Sequence, residues 1–376
     1  MKRKLYQLST QIIAALAFFT ATNLEANLLN QPASLPVQLA DIAQQQMDET
    51  GMTGMVVGVW KSDKEILILE TGLADTEEST PITRMDHFRI GSVTKSFTVT
   101  RILQLADEGQ LNLDDPISDY VDNLQNGSAT LRQLANMSAG IFNYTEDSEF
   151  VPILFEDISA PWTPQELVDL ANRNSPYFAP GEGWHYSNTA TVLLGMVIEE
   201  VTGNPLSQDL KENLFSPLEL GQTSYPMTPA MPEPIARGYA LFDPEEDLTD
   251  LTDSNPTSSA GSGAIVSTLD DLRVWGKVLA EGTLISPEMQ EARIQLLPNK
   301  DCPTCPEYDG YGLGIGNLEG WLGHTGDYLG YQSLVMHDSS TDQTVVILTN
   351  FRNFTNAAHL PTDLFRKMAP LLNPEL

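Results

Sequence analysis

The sequence predicts an α+β fold: an antiparallel sheet built from both chain ends, flanked by helices, with an all-α insertion. Strand-like runs of apolar and β-branched residues lie near residues 55–70 and again beyond residue 310. The middle is a succession of short helical segments set in Pro- and Gly-rich loops. The chain of 376 residues is 41% hydrophobic and 19% charged, ordinary for a globular protein with enough core to wall a pocket.

Residues 1–26 read as an export signal. Met1-Lys2-Arg3-Lys4 is a basic start, Gln11 to Phe19 is mostly apolar, and Leu24-Glu25-Ala26 offers a small residue at a cleavage point. The apolar stretch is too short and interrupted to span a bilayer, and no later segment approaches about 18 unbroken apolar residues. The expected compartment is the periplasm or the exterior, with no stable membrane span after signal removal. Residues 27–376 then form one catalytic unit. Its α/β part covers about 27–113 and 260–376, and its helical part about 114–259.

Residues 34–50 read as an amphipathic helix ended by Gly51. Met55 to Trp60 and Glu65 to Glu70 form a hairpin about the turn Ser62-Asp63-Lys64. Phe88-Arg89-Ile90 is extended, and Ser92 to Glu108 is a helix capped by Gly109. In the insertion, helices are expected at Leu131 to Met137, Pro164 to Asn172, Thr189 to Val201 and Leu206 to Leu214. Pro226 to Pro256 reads as irregular. Helices follow at Leu269 to Leu279 and Pro287 to Leu297, then strands at Tyr311 to Leu318, Tyr331 to His337 and Thr344 to Thr349. A last helix runs through about 357–368.

The formal charge of −31 argues against nucleic acid and anionic membranes as partners. Such acidity favours solubility, including in salt. The two cysteines, in Cys302-Pro303-Thr304-Cys305, leave three readings open: a local disulfide, free thiols, or half of a metal site. The Pro-rich loop around them does not suit a thioredoxin-like redox motif.

Three short motifs carry candidate chemistry. In Ser92-Val93-Thr94-Lys95, a Ser and a Lys three apart share one helix face. The Ser feels the positive helix end, and a desolvated amine can take its proton. In Tyr186-Ser187-Asn188, a phenol and a carboxamide sit at a loop-to-helix junction. The phenol can serve a leaving group, and the carboxamide can bind substrate and steady Lys95. In His324-Thr325-Gly326, the His and Thr can bind an anionic or carbonyl group, and Gly on an edge strand admits a substrate backbone. Taken singly, each also reads as ordinary capping or turn sequence.

Their order and spacing resemble the penicillin-recognising serine hydrolases: class C β-lactamases, D-alanyl-D-alanine carboxypeptidases and related esterases. Phe88 to Phe97, Leu111-Asn112-Leu113-Asp114-Asp115-Pro116, Leu131 to Leu134 and Ser138 to Ile141 are similar to blocks of that family. So are Phe178 to Gly181, Ala260 to Gly263, Ser267 to Leu272 and Gly323 to Gly326 with Gly330-Tyr331. The resemblance implies a β-lactamase/transpeptidase-like fold and an acyl-enzyme on Ser92. It implies Lys95 and Tyr186 as base and acid, with the order of proton transfers open. Asn188 would position substrate, and the N–H groups of Ser92 and Asp327 would hold the oxyanion. It implies no metal ligands and no cofactor.

His324 stands where class C β-lactamases usually have Lys, a form more similar to D,D-peptidases, D-aminopeptidases and esterases. Asp327 would repel a substrate carboxylate or meet a cationic substrate, and no arginine clamp is evident between Arg293 and Arg352. The expected partner is a small-molecule or peptide substrate, peptidoglycan-derived or a β-lactam among the candidates. The leading reading is a carboxypeptidase-like, esterase-like or D-aminopeptidase-like serine hydrolase. A class C-like β-lactamase and a non-catalytic binding protein on the same fold are the alternatives. Trp184 reads as pocket wall, His185 as a structural residue with pocket lining as the alternative, His87 and His359 as structural or surface residues, and His337 as structural.

Overall fold

The computed structural model describes residues 33–298, 306, 308–356 and 358–373. The expected leader over 1–26 and the Cys302–Cys305 pair lie outside them.

Helix α1 (Leu35–Thr50) has Pro in its first turn and ends at Gly51 in the left-handed region, φ 64°. Strand β1 (Gly54–Lys61) is buried up to its last residue, so its apolar run is a central strand. It turns into β2 (Lys64–Asp75) through Ser62 and Asp63, both at positive φ, which matches the twist of a two-residue hairpin. Short strands β3 (Thr80–Pro81) and β4 (Phe88–Arg89) lead to helix α2 (Val93–Asp107), whose residues are almost all buried.

The insertion carries α3 (Leu131–Ala135), α4 (Phe150–Glu156), α5 (Pro164–Asn172), α6 (Asn188–Thr202) and α7 (Leu206–Leu210). Thr130 and Thr163 start α3 and α5 with reciprocal capping boxes to Gln133 and Glu166. Strands β5 (Tyr239–Leu241), β6 (Thr249–Asp250) and β7 (Val266–Ser267) precede α8 (Leu269–Glu281) and α9 (Pro287–Arg293). The chain closes with β8 (Gly310–Tyr311), β9 (Gly316–Leu318), β10 (Trp321–Tyr328), β11 (Tyr331–Asp338), β12 (Gln343–Thr349), β13 (Phe351–Asn353) and α10 (Leu360–Leu372).

The main sheet has the order β3-β2-β1-β12-β11-β10-β9-β8. The chain ends meet at its centre, where β1 pairs antiparallel with β12 and Val57 lies opposite Ile347. Helices α1 and α10 pack together on one face; α2 and α8 cover the other. Val335 on β11 faces α8 so closely that a Cβ on Gly276 would meet its Cγ2 at 2.4 Å.

Four readings need correction. Tyr311 to Leu318 is not one strand; it breaks into β8 and β9 around Gly314 at φ 64°. The helix from Pro287 stops at Arg293, because Leu297 is bridged to Tyr311. Strand β10 was hidden by its two glycines and polar residues, which break the alternation that marks a strand. The stretch 226–256 is mostly irregular but contributes β5 and β6, which join β13 in a small separate sheet.

Candidate active site

Gly91 adopts φ 49°, and Ser92 follows as the residue opening α2. Ser92 makes no capping bond to its own helix. Its Oγ instead lies 2.8 Å from Lys95 Nζ. The helix spacing puts the two residues one above the other on the buried face.

Lys95 is fully buried, and its Nζ also touches Asn188 Oδ1 at 2.6 Å and the Ser262 carbonyl at 2.9 Å. No carboxylate is bonded to it, and burial drives its pKa well below the ordinary lysine value. The three contacts then fix where the proton goes. A carbonyl oxygen can only accept, so a neutral amine spends both its hydrogens on Asn188 and Ser262. Its lone pair is left facing Ser92 Oγ. The arrangement is that of a general base aimed at a hydroxyl.

Asn188 is the first residue of α6 and is oriented on three sides. Its Nδ2 donates to Thr145 Oγ1 at 3.2 Å, and its backbone N donates to Asn143 Oδ1 at 3.1 Å. Thr189 reinforces the junction by accepting from Tyr144 N at 3.0 Å and donating to Phe142 O at 2.7 Å. The loop 142–145 thus holds the carboxamide that holds the lysine.

Tyr186 is buried, and its ring centre lies 4.9 Å from Lys95 Nζ. Burial and the neighbouring Tyr308 push its pKa well above the ordinary phenol value, against a hydrogen bond with Ser92 that pulls it down. The phenol therefore stays protonated and is suited to donate rather than to accept.

The third motif lies on β10. Strand β9 pairs β10 only over Trp321–Gly323; beyond it the Tyr308 hydroxyl takes the place of a neighbouring strand at Thr325, and β9 does not reach Gly326 to Tyr328. Gly326 permits contact with the chain itself: a Cβ there would lie 2.0 Å from Ile90 O and 2.4 Å from Ser333 Oγ. A Cβ on Gly91 would likewise meet the Asp327 backbone at 2.6–2.8 Å. The two glycines bring the loop before Ser92 against β10, with Asp327 beside the residue preceding Ser92.

His324 is not an anion-binding cation. It is fully buried, and its Nδ1 donates to Thr325 O at 2.6 Å while its Nε2 accepts from Tyr311 at 2.9 Å. Desolvation, with the nearby Lys95, lowers its pKa to about 3. Tyr308 accepts from Thr325 N at 2.8 Å and pairs with Thr325 Oγ1 at 2.7 Å, so this polar network is internally satisfied.

Asp327 does meet an arginine. Arg352 Nε lies 2.9 Å from its carboxylate, and Gln332 Nε2 donates to the same oxygen at 3.2 Å. The guanidinium comes from β13, brought to β10 by the fold. His359 also reaches the strand: Nδ1 accepts from Thr362, so Nε2 carries the hydrogen and donates to Gly326 O at 2.9 Å. His185 stacks on Tyr177 with centroids 3.6 Å apart, and Trp184 meets Tyr311 edge-on at 6.0 Å.

Sequence reasoning missed Ser262 O, Tyr308, Tyr311, Arg352 and His359 as parts of this site. A backbone carbonyl has no residue-type signature. The tyrosines act through burial, and Arg352 and His359 act across the fold. Only the block Ala260 to Gly263 pointed to the Ser262 segment.

The family model described as Beta-lactamase matches residues 39–364. The chain belongs to the beta-lactamase family. Among solved structures, a D-stereospecific amidohydrolase from a Streptomyces species is 31% identical, with a TM-score of 0.73 over 83% of this chain and 94% of that one. A D-amino acid amidase from Ochrobactrum anthropi SV3, complexed with D-phenylalanine, is 25% identical, with a TM-score of 0.78 over 90% and 98% of the two chains. Among curated proteins, "Penicillin-binding protein 4*" of Bacillus subtilis is 25% identical over 74% of this chain, which spans 64% of that protein's length. The beta-lactamase-family fold predicted from the sequence is thus the fold observed.

Proposed function

We propose that this chain is a serine amidohydrolase that acylates Ser92 and acts on amides or short peptides of D-amino acids. The carrying observation is the Lys95 amine, fully buried, with two carbonyl acceptors and one hydroxyl around it. The likeness to a D-stereospecific amidohydrolase over most of both chains supports the substrate class.

In the proposed reaction, Ser92 Oγ bonds to the substrate carbonyl carbon while its proton passes to Lys95. The oxyanion is held by the N–H groups of Ser92 and Asp327, each such donor stabilising the transition state by about 3 kcal/mol. Collapse breaks the C–N bond. Tyr186 gives its proton to the leaving nitrogen and takes one back from the Lys95 ammonium. Water then attacks the ester, losing a proton to the same base, and Ser92 regains its hydrogen as the acid departs. An ester substrate follows the same course. Asp327, about 41% exposed at its side chain, faces the edge where a substrate ammonium would lie.

A fluorophosphonate should add once, at Ser92, by intact-mass spectrometry, and not at all to Ser92→Ala. A panel of D- and L-amino-acid amides, D-alanyl dipeptides, p-nitrophenyl esters and nitrocefin should show hydrolysis of D-amides first. Labelling at another residue sinks the nucleophile. Single labelling with turnover confined to nitrocefin, p-nitrophenyl esters or L-amino-acid amides sinks the substrate class alone.

A further inference from the structure

We propose that Glu281, His337 and Asp342 form a divalent-cation site that ties the end of α8 to the β11–β12 hairpin. One ligand atom from each lies within 4.8 Å of the others, the one such group of His, Cys, Asp or Glu among the described residues. Glu281 ends α8, His337 is on β11, and Asp342 is in the following turn at φ 50°.

The independent observation is His337. The residue is 1% exposed, and its Nε2 is buried without a hydrogen-bond partner. That nitrogen is 3.7 Å from Glu281 Oε1. An orphaned buried nitrogen costs free energy unless something satisfies it. The other nitrogen, Nδ1, lies 2.9 Å from Thr344 Oγ1. If Nδ1 donates there, the Nε2 lone pair points toward the carboxylates, the usual outer support of a metal-bound histidine. Burial lowers the pKa of His337, which favours the neutral, ligating form.

Ligands at ~2.1 Å on a tetrahedron are ~3.4 Å apart, close to the 3.7 Å His337–Glu281 separation; the third ligand atom, within 4.8 Å, closes on the ion by a side-chain adjustment of the surface turn. The charges suit a cation too. Glu281, Asp342, Asp63 and Asp338 gather here against Lys277 and Arg273. Lys277 Nζ bonds Asp342 Oδ1 at 2.7 Å but also lies 3.8 Å from Asp63, to which it can move. One imidazole and two carboxylates select a borderline ion such as Zn²⁺ over Mg²⁺ or Ca²⁺, which favour all-oxygen sets.

The site is structural. His337 is four residues along β11 from Ser333, whose hydroxyl donates to Ile90 O beside the nucleophile. That offset is about 13 Å of strand. No ligand of the ion reaches the reacting groups.

The test uses the full chain, freed of metal by a chelator, and a parallel chain carrying Cys302→Ser and Cys305→Ser to remove thiolate ligands. Titration with ZnCl2 should show one saturable equivalent in both. Zinc at a hundredfold excess over its Kd should raise Tm by about 3–6 °C, and MgCl2 should not. His337→Gln should abolish the shift, and Asp342→Asn should weaken zinc binding about 10- to 100-fold. Hydrolysis of the panel substrates should be unchanged in both variants. Glu281→Gln, on the surface, serves where His337→Gln fails to fold. Absence of saturable zinc binding, or an equal shift in His337→Gln and Glu281→Gln, overturns the site. So does a zinc-insensitive Tm with a His337-dependent rise below pH 6, which would mean a protonated His337–Glu281 pair.

Discussion

Arg352 Nε stands 2.9 Å from the carboxylate of Asp327, the residue whose backbone packs against Gly91. The partly exposed carboxylate of Asp327 is therefore already partly neutralised. Ion pairs this exposed contribute about 1 kcal/mol at most. Their effect on substrate choice lies in which charge they leave uncovered.

Arg352→Gln should uncover Asp327 and favour substrates with a free α-ammonium. Relative to its N-acetylated form, a D-amino-acid amide should gain about fivefold in kcat/KM, the equivalent of ~1 kcal/mol. Steady-state kinetics on the two amides checks this. An unchanged ratio would mean that the pair only holds β13 to β10.

Lys95→Met should lower the acylation rate by about 10²- to 10⁴-fold, the usual contribution of a positioned base. Tyr186→Phe should also lower it, most strongly for amides, whose leaving group needs a proton. In the parent protein, kcat/KM should fall as pH drops through the depressed pKa of Lys95, because only the neutral amine accepts the proton. The same depression costs stability. Below the unfolded pKa of about 10.4 the unfolded lysine holds a proton that the folded one sheds, so stability falls as pH falls from there to the folded value. Lys95→Met should remove that slope and raise Tm at neutral pH; a lower Tm would refute the strain. Stopped-flow acylation and thermal unfolding over pH test both parts.

His324 should produce no limb in the pH–rate profile between pH 5 and 8, because its folded pKa lies near 3. It should appear in stability. Between about pH 6.5 and 3 the unfolded chain binds a proton that the native site refuses, so stability declines as pH falls, by at most about 1.4 kcal/mol per pH unit. Denaturant melts of parent and His324→Gln chains over that range should show a shallower slope in the variant. A rate limb near pH 6.5 that vanishes in His324→Gln would mean a solvent-reached imidazole.

Gly326→Ala should harm catalysis beyond its effect on folding. The added methyl would overlap Ile90 O and Ser333 Oγ, and movement of the Ile90–Ser92 loop is needed to relieve the backbone overlap. Overpacking of this kind costs about 1–3 kcal/mol of stability. A displacement near 1 Å at the oxyanion donors can cost about 10²-fold in rate. Gly221→Ala, at ordinary φ with no atom closer than 3.9 Å to the added carbon, is the control for a methyl added without overlap. Similar kcat in both variants would show that Gly326 does not set the loop's position.

What the chain alone determined is local and covalent in its spacing. Continuous apolar and β-branched runs near residues 55–70 and 331–349 pointed to strands. Ser92 and Lys95, three residues apart on a predicted helix, had to share a face. The motif order then placed Tyr186, Asn188 and the His324–Asp327 segment in one family pattern. The tertiary structure decided what spacing cannot encode. Strand β10 exists because β11 pairs with it, although its glycines and polar residues carry little strand preference of their own. The charge states of Lys95 and His324 follow from burial among neutral partners, and desolvation is a property of the packed volume rather than of any sequence window. Ser262 O, Arg352 and His359 reach the site from segments far away in the chain, and only folding makes their distances short.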